Sequence, residues 1–156
     1  MISIDIPGFA QLELAHLVLD YNGTVALDGV LLPGIADKLF MLASDLEIHV
    51  ITADTFGFVK TQMEGLPIKL CIIPVELQAE AKFHYVTHLG CNAVVAIGNG
   101  RNDHKMLKAS ALGIALIQQE GGASSSIAAA DIVSTSVLDA LELLQNPKRL
   151  LATLRS

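Results

Sequence analysis

The stretch LVLDYNGTVALDG, Leu17–Gly29, decides how the rest of the chain is read. An apolar run leads straight into Asp20, and Tyr21-Asn22-Gly23-Thr24 follows as a turn. A buried strand ending on a carboxylate before a glycine-containing loop fixes that acid at the tip of a sheet while leaving it reachable. Taken alone, an aspartate after a strand is more often a turn or helix cap than a reactive group. Its meaning therefore depends on partners elsewhere in the sequence.

Outward from this stretch, strand-like and helix-like segments alternate. Ile2–Ile6 stops at Pro7-Gly8, and the run Leu12–Leu19 follows, which predicts an N-terminal hairpin leading into a core strand. After Pro33-Gly34, the spacing of Ile35, Leu39 and Leu42 is helical, and LEIHVITAD reads as a strand. Phe56–Met63 reads as a helix, IKLCII as a strand, and Val75–Leu89 as a helix closed by Gly90. AVVAIGNG is a strand ending in glycines, and Asp103–Ser110 a helix. ALGIALI, Ala123–Ala130, DIVS and Val137–Leu144 continue the alternation. Near-continuous apolar strands between helices predict an α/β fold, a three-layer Rossmann-like parallel sheet with helices on both faces, as a single domain over residues 1–156.

Composition narrows the function. The 156 residues are 52% hydrophobic and 17% charged, and the net charge of −6 disfavours nucleic acid or an anionic membrane as partner. No apolar run approaches the ~20 residues that span a bilayer, and MISIDIPGFA lacks the basic start of a secretion signal. Cys71 and Cys91 have no metal-type spacing. A cytoplasmic location is the expectation.

In a parallel α/β sheet, reactive groups gather beyond the carboxyl ends of the strands. Thr52 in VITAD and the loop GNGRND, Gly98–Asp103, occupy such ends, and Lys82 lies on the helix before the latter strand. In order, DYNGT, ITAD, AEAK and GNGRND resemble the four motifs of the haloacid dehalogenase-like phosphatase superfamily, in particular the phosphorylation domain of P-type ATPases and its small soluble relatives. The resemblance spans Leu17–Asp131. It implies a phosphohydrolase acting on phosphate esters or anhydrides, in which Asp20 attacks phosphorus and forms an aspartyl phosphate. It implies Mg2+ as cofactor, held by Asp20, the backbone carbonyl of Asn22, Asn99 and Asp103. Thr52 and Lys82 would bind and neutralise the transferred phosphoryl group. Gly23, Thr24, Ala53 and Asn102 complete the expected substrate-binding set.

Two positions depart from the pattern. Most such phosphatases carry, two residues after the nucleophile, an aspartate that gives and takes a proton; here it is Asn22, which can do neither. Turnover is expected to be slow. Asn99 stands where a metal-binding aspartate is usual, so magnesium is expected to bind weakly. A weakened phosphate-binding module is the alternative reading.

The segments 24–51 and 54–81 are too short for an inserted cap domain, which leaves the site open. A homo-oligomer could cover it with a neighbouring subunit, or a large phosphorylated substrate could cover it itself. The same shortness leaves no seat for the nucleotide domain of a pump.

Other features read as ordinary structure. His84 and His88 lie four apart but lack a third ligand, so an exposed helix face is expected. EGGASSS reads as a flexible turn before a helix. NPKRLLATLRS reads as a C-terminal helix packed on the sheet, with oligomer docking as the rival.

Overall fold

A computed structural model describes residues 1–54 and 57–156. Strands β1 (Ile2–Ile6) and β2 (Ala10–Leu14) form an antiparallel hairpin with Ile2 opposite Leu14. The expected continuous run Leu12–Leu19 breaks at Ala15. Its N–H donates to Ala93 O at 2.8 Å and its carbonyl accepts from Glu47 N at 2.9 Å, so the chain is handed from the hairpin into a different sheet. It enters that sheet as β3 (His16–Asp20).

A second small hairpin, β4 (Ala26–Leu27) and β5 (Val30–Leu31), follows the turn after Asp20. Its two-residue turn, Asp28-Gly29, has φ of 50° and 82°, the pair of positive values that a type I′ hairpin demands. The region between the first two core strands therefore holds more than the single helix expected for it.

The remaining elements run α1 (Ile35–Leu42), β6 (Glu47–Thr52), α2 (Val59–Met63), β7 (Lys69–Ile72), α3 (Gln78–Leu89), β8 (Val94–Gly98), α4 (His104–Ala109), β9 (Leu112–Leu116), α5 (Ser124–Ala129), β10 (Ile132–Ser134), α6 (Val137–Gln145) and α7 (Pro147–Leu154). Of the helix expected over Phe56–Met63, residue 56 lies outside the described residues. The helix expected from Val75 begins at Gln78, because Leu77 takes a left-handed φ of 56° and resets the chain direction. Asp103 closes a 3-10 turn over Arg101–Asp103 instead of opening α4.

The central sheet has six strands in the order β10-β9-β8-β3-β6-β7, all parallel. Along β3 the pleat sends Leu17 and Leu19 to one face and Val18 to the other, and all three are fully buried. Leu17 and Leu19 join the large core with Ile35 and Leu39 of α1 and Leu141 and Leu144 of α6. Val18 packs with Val86 of α3 and Met106 and Leu107 of α4. Both faces are thus covered, which is why these strands read as unbroken apolar runs. Helix α7 packs on β1 and α6, and its buried Leu150 joins the large core.

Candidate active site

Strand order makes the site. From β3 the chain steps outward to β6 and β7 on one side, then returns to add β8, β9 and β10 on the other. The loops after β3 and β8 diverge at that reversal and leave a crevice at the carboxyl edge. Asp20 ends β3, and Asn99 follows β8.

Lys82 of α3 lies beneath this crevice, 1% exposed. Its ammonium donates to Asp20 Oδ1 at 2.7 Å, to Asp103 Oδ1 at 2.6 Å and to Asn102 Oδ1 at 3.4 Å, which occupies all three N–H bonds. Burial by itself would lower the Lys82 pKa, but Asp103 and Asp20 outweigh it and the net shift is upward. The lysine stays charged. Burial, then the Asp20 charge, push the Asp103 carboxyl up, against the pull of Lys82. Two acids around one ammonium leave the pocket net negative when both are ionised.

Asp103 is fully buried, and its second oxygen accepts the N–H groups of Asn99 at 3.0 Å and Gly100 at 2.9 Å. Both oxygens are engaged by Lys82 and the Asn99 loop, so Asp103, expected among the metal ligands, stands behind Asp20 and shapes that loop. A side chain on Gly98 would strike the Asp103 carboxyl at 2.5 Å, which explains that glycine. Thr24 is likewise fully buried, with its hydroxyl 3.1 Å from Asp20 Oδ2 and 3.5 Å from Asn99 Oδ1. Expected in the substrate-binding set, it is placed beneath the site, between Asp20 and Asn99.

A cleft of about 420 Å³ is lined by Asp20, Asn22, Thr52, Ala53, Asn102 and Glu120, with Gln78, Asn99 and Gly100. Thr52 Oγ1 accepts the Asp54 N–H at 3.1 Å, which leaves its proton for another acceptor. Asn102 is held by Gln78 at 2.7 Å. The Asn22 side chain is turned to the β4–β5 hairpin, where its Oδ1 accepts the Gly29 N–H at 2.9 Å. Asn99 Nδ2 donates to Gly121 O at 3.0 Å, and this orients Oδ1 toward the Thr24 hydroxyl. Gly23 has φ of 81°, and a Cβ there would lie 2.2 Å from Glu120 Oε2 and 2.5 Å from Asn99 Nδ2. Glycine is required at this position by conformation and by crowding alike.

Sequence reasoning missed Glu120 and Gln118. Glu120 forms the opposite wall, and burial, Asp20 and Asp28 raise its pKa. Gln118 Nε2 straps the loop after Asp20 through Gly23 O at 3.1 Å and Thr24 O at 3.0 Å. Both follow β9, so the strand-end rule applied to that strand finds them. The EGGASSS segment is also more than a flexible turn: Ala123 N bonds Asn99 O at 2.8 Å, and the Ser126 hydroxyl bonds Gly100 O. It buttresses the GNGRND loop. His84 and His88 lie exposed on α3, as expected.

No family model matches the chain. A stretch of 62 residues, 40% of the chain, is 50% identical to the uncharacterized protein MJ0073 of Methanocaldococcus jannaschii and covers 67% of it. Among solved structures, a 3-deoxy-D-manno-octulosonate 8-phosphate phosphatase from Moraxella catarrhalis, in complex with magnesium, phosphate and KDO, superposes with a TM-score of 0.66. Identity is 19%, covering 89% of this chain and 90% of that one. The cobalt-bound form of a deoxy-D-mannose-octulosonate 8-phosphate phosphatase from Haemophilus influenzae gives a TM-score of 0.69 at 15% identity, covering 91% and 94%. A zinc-transporting PIB-type ATPase gives 0.63 at 24% identity, covering 78% of this chain and 20% of the transporter. The likeness to these structures is one of fold. No helix among the described residues is long and apolar enough to cross a membrane.

Proposed function

We propose that this chain, which belongs to the family of MJ0073 and has the fold of the haloacid dehalogenase-like phosphatases, is a slow magnesium-dependent phosphohydrolase acting through Asp20. The observation that carries this reading is the Lys82 ammonium held between Asp20 and Asp103 under an open, polar cleft. A lysine this buried is rarely a surface accident. It holds one Asp20 oxygen and leaves the other, among the described residues, with the Thr24 hydroxyl as its partner.

The donor set fits a hard cation. Asp20 Oδ2 and Asn99 Oδ1 both lie around the Thr24 hydroxyl, and the surrounding charge is negative. Together with the Asn22 carbonyl they would hold Mg2+, which cancels carboxylate–phosphate repulsion and orients the reacting oxygens.

The protein's own groups supply the rest. An Asp20 oxygen bonds to phosphorus as the ester P–O bond breaks, and the leaving oxygen takes a proton from water. Thr52 donates its free hydroxyl proton to a phosphoryl oxygen. Lys82 can exchange its long bond to Asn102 for a phosphoryl oxygen while keeping both carboxylates. Water then attacks the phosphorus of the mixed anhydride, which releases phosphate and restores the carboxylate.

One observation favours the binding module as second reading. Asn22 commits its side-chain oxygen to the β4–β5 turn and brings no acid to the cleft. Exposure to acetyl phosphate and Mg2+, followed by mass spectrometry of the Asp20 peptide, tests the proposal. Phosphate on Asp20 that decays in time supports the enzyme; no label in any condition overturns it and favours the binding module.

A further inference from the structure

The opposite edge of the sheet carries a second cluster. His16 opens β3 and lies directly across from Glu47, which opens β6; His49 is two residues on and projects from the same face. His16 Nδ1 is 3.2 Å from His49 Nε2 and 3.5 Å from Glu47 Oε1, and His49 Nε2 is 3.1 Å from Glu47 Oε1. Two imidazole nitrogens and one carboxylate oxygen thus form a nearly equilateral triangle. These three atoms are the one metal-competent group of His, Cys, Asp or Glu side chains among the described residues.

We propose that His16, Glu47 and His49 bind a tetrahedral first-row divalent cation of the zinc type. Zinc–nitrogen and zinc–oxygen bonds of about 2.0–2.1 Å at tetrahedral angles place ligand atoms about 3.3–3.4 Å apart. The observed edges bracket that value. A cation at bonding distance from all three atoms would sit just off the plane of the triangle, with a fourth position left for a further ligand. Glu47 is 42% exposed, so that position can take water.

The supporting shell is in place. His49 is 1% exposed, and its other ring nitrogen, Nδ1, is 2.8 Å from the Tyr85 hydroxyl. That contact leaves Nε2 for the metal, the arrangement that fixes tautomer and ring orientation in histidine sites. Lys69 Nζ holds Glu47 Oε2 at 2.8 Å, so Oε1 is presented alone. Imidazole donors suit zinc and its neighbours and not magnesium, so the two proposed sites select different ions. His16 and Asp20 are at opposite ends of β3, about 13 Å apart at ~3.3 Å per residue. A cation here would pin β3 to β6, the strands whose far ends carry Asp20 and Thr52.

This inference does not rest on the phosphohydrolase reading. The test is a Co2+ titration of the metal-free protein in excess Mg2+, followed by visible absorption, with Zn2+ as competitor. One equivalent of Co2+ with the intense bands of low coordination, displaced by Zn2+, is expected. Glu47→Gln and His16→Gln, both at the rim, should abolish the signal while circular dichroism stays native. Tyr85→Phe should weaken binding by about 10–100-fold. Asp20→Asn should leave it unchanged. Absence of stoichiometric binding, or a signal that survives Glu47→Gln and His16→Gln or disappears in Asp20→Asn, overturns the proposal.

Discussion

Lys82 Nζ lies 2.7 Å from Asp20 Oδ1 across 62 residues of sequence, with Asp103 bonded to the same ammonium from the other side. This triad is costly to dismantle one member at a time. Lys82→Met leaves two uncompensated acids in a buried pocket and should cost about 3–5 kcal/mol. Adding Asp103→Asn removes one of those charges and should restore part of the loss. Urea denaturation of both variants checks this, and equal instability of the single and double variants would show that charge is not the cause.

Asp20→Asn keeps an oxygen for Lys82 to bond and should fold normally. It removes the nucleophile, so turnover of an aryl phosphate should fall to background. Residual activity well above background would refute covalent attack by Asp20.

The Tyr21 hydroxyl donates to Gly29 O at 2.8 Å inside the core. Burial first, and the Asp54 charge second, push its pKa up to about 12. The native state therefore keeps its proton longer than the unfolded chain, whose tyrosines titrate near ~10. The associated stability is fully present below pH ~10 and lost as pH rises toward about 12. Wild type should lose denaturant resistance more steeply over that window than Tyr21→Phe. Identical slopes would place the tyrosine in a wetter setting than the core.

The sheet was legible because its chemistry is local. An unbroken apolar run such as Val94–Ile97 has no other use in a chain of this length, and it is a fully buried strand. Asp20, Thr52 and the Asn99 loop were legible for a similar reason, since polar residues directly after such runs have few places to go. The β4–β5 hairpin was missed, although Asp28-Gly29 between apolar residues is a strong short-range turn signal. The break at Ala15 was not legible: it depends on hydrogen bonds to Ala93 and Glu47, which only the fold brings near. Nor did the sequence reveal that Thr24 and Asp103 lie behind Asp20, because burial at a strand end depends on which loops close over it. The cluster at His16 was not legible either: Glu47 and His49 are two residues apart, but His16 meets them only through the pairing of β3 with β6.

Asn99→Asp should have two opposed effects. The amide that donates to Gly121 O becomes an oxygen facing a carbonyl, and a new charge joins Asp20 and Glu120, so the metal-free protein should lose stability. The same charge faces the proposed magnesium position. Affinity should tighten by about tenfold, equivalent to ~1.4 kcal/mol. Calorimetric titration measures both effects, and unchanged magnesium affinity would mean that Asn99 is not a ligand.

Asn22→Asp tests why the site should be slow. Asn22 Oδ1 accepts the Gly29 N–H, and an aspartate keeps that bond with one oxygen while offering the other to the cleft. The hairpin should therefore stay in place, and the substitution should add only the ability to give and take a proton. A positioned acid or base is worth ~10²–10⁴-fold in rate. With an aryl phosphate the leaving group departs with little help, so phosphorylation of Asp20 should change modestly. Water attack on the aspartyl phosphate has no such relief and should accelerate most. Rapid-quench measurement of label on Asp20 separates the two steps: the variant should show a lower steady-state level of phosphoprotein together with faster phosphate release. If neither step accelerates, the missing proton is not what limits this site, and the phosphohydrolase reading gives way to a module that binds phosphate without turning it over.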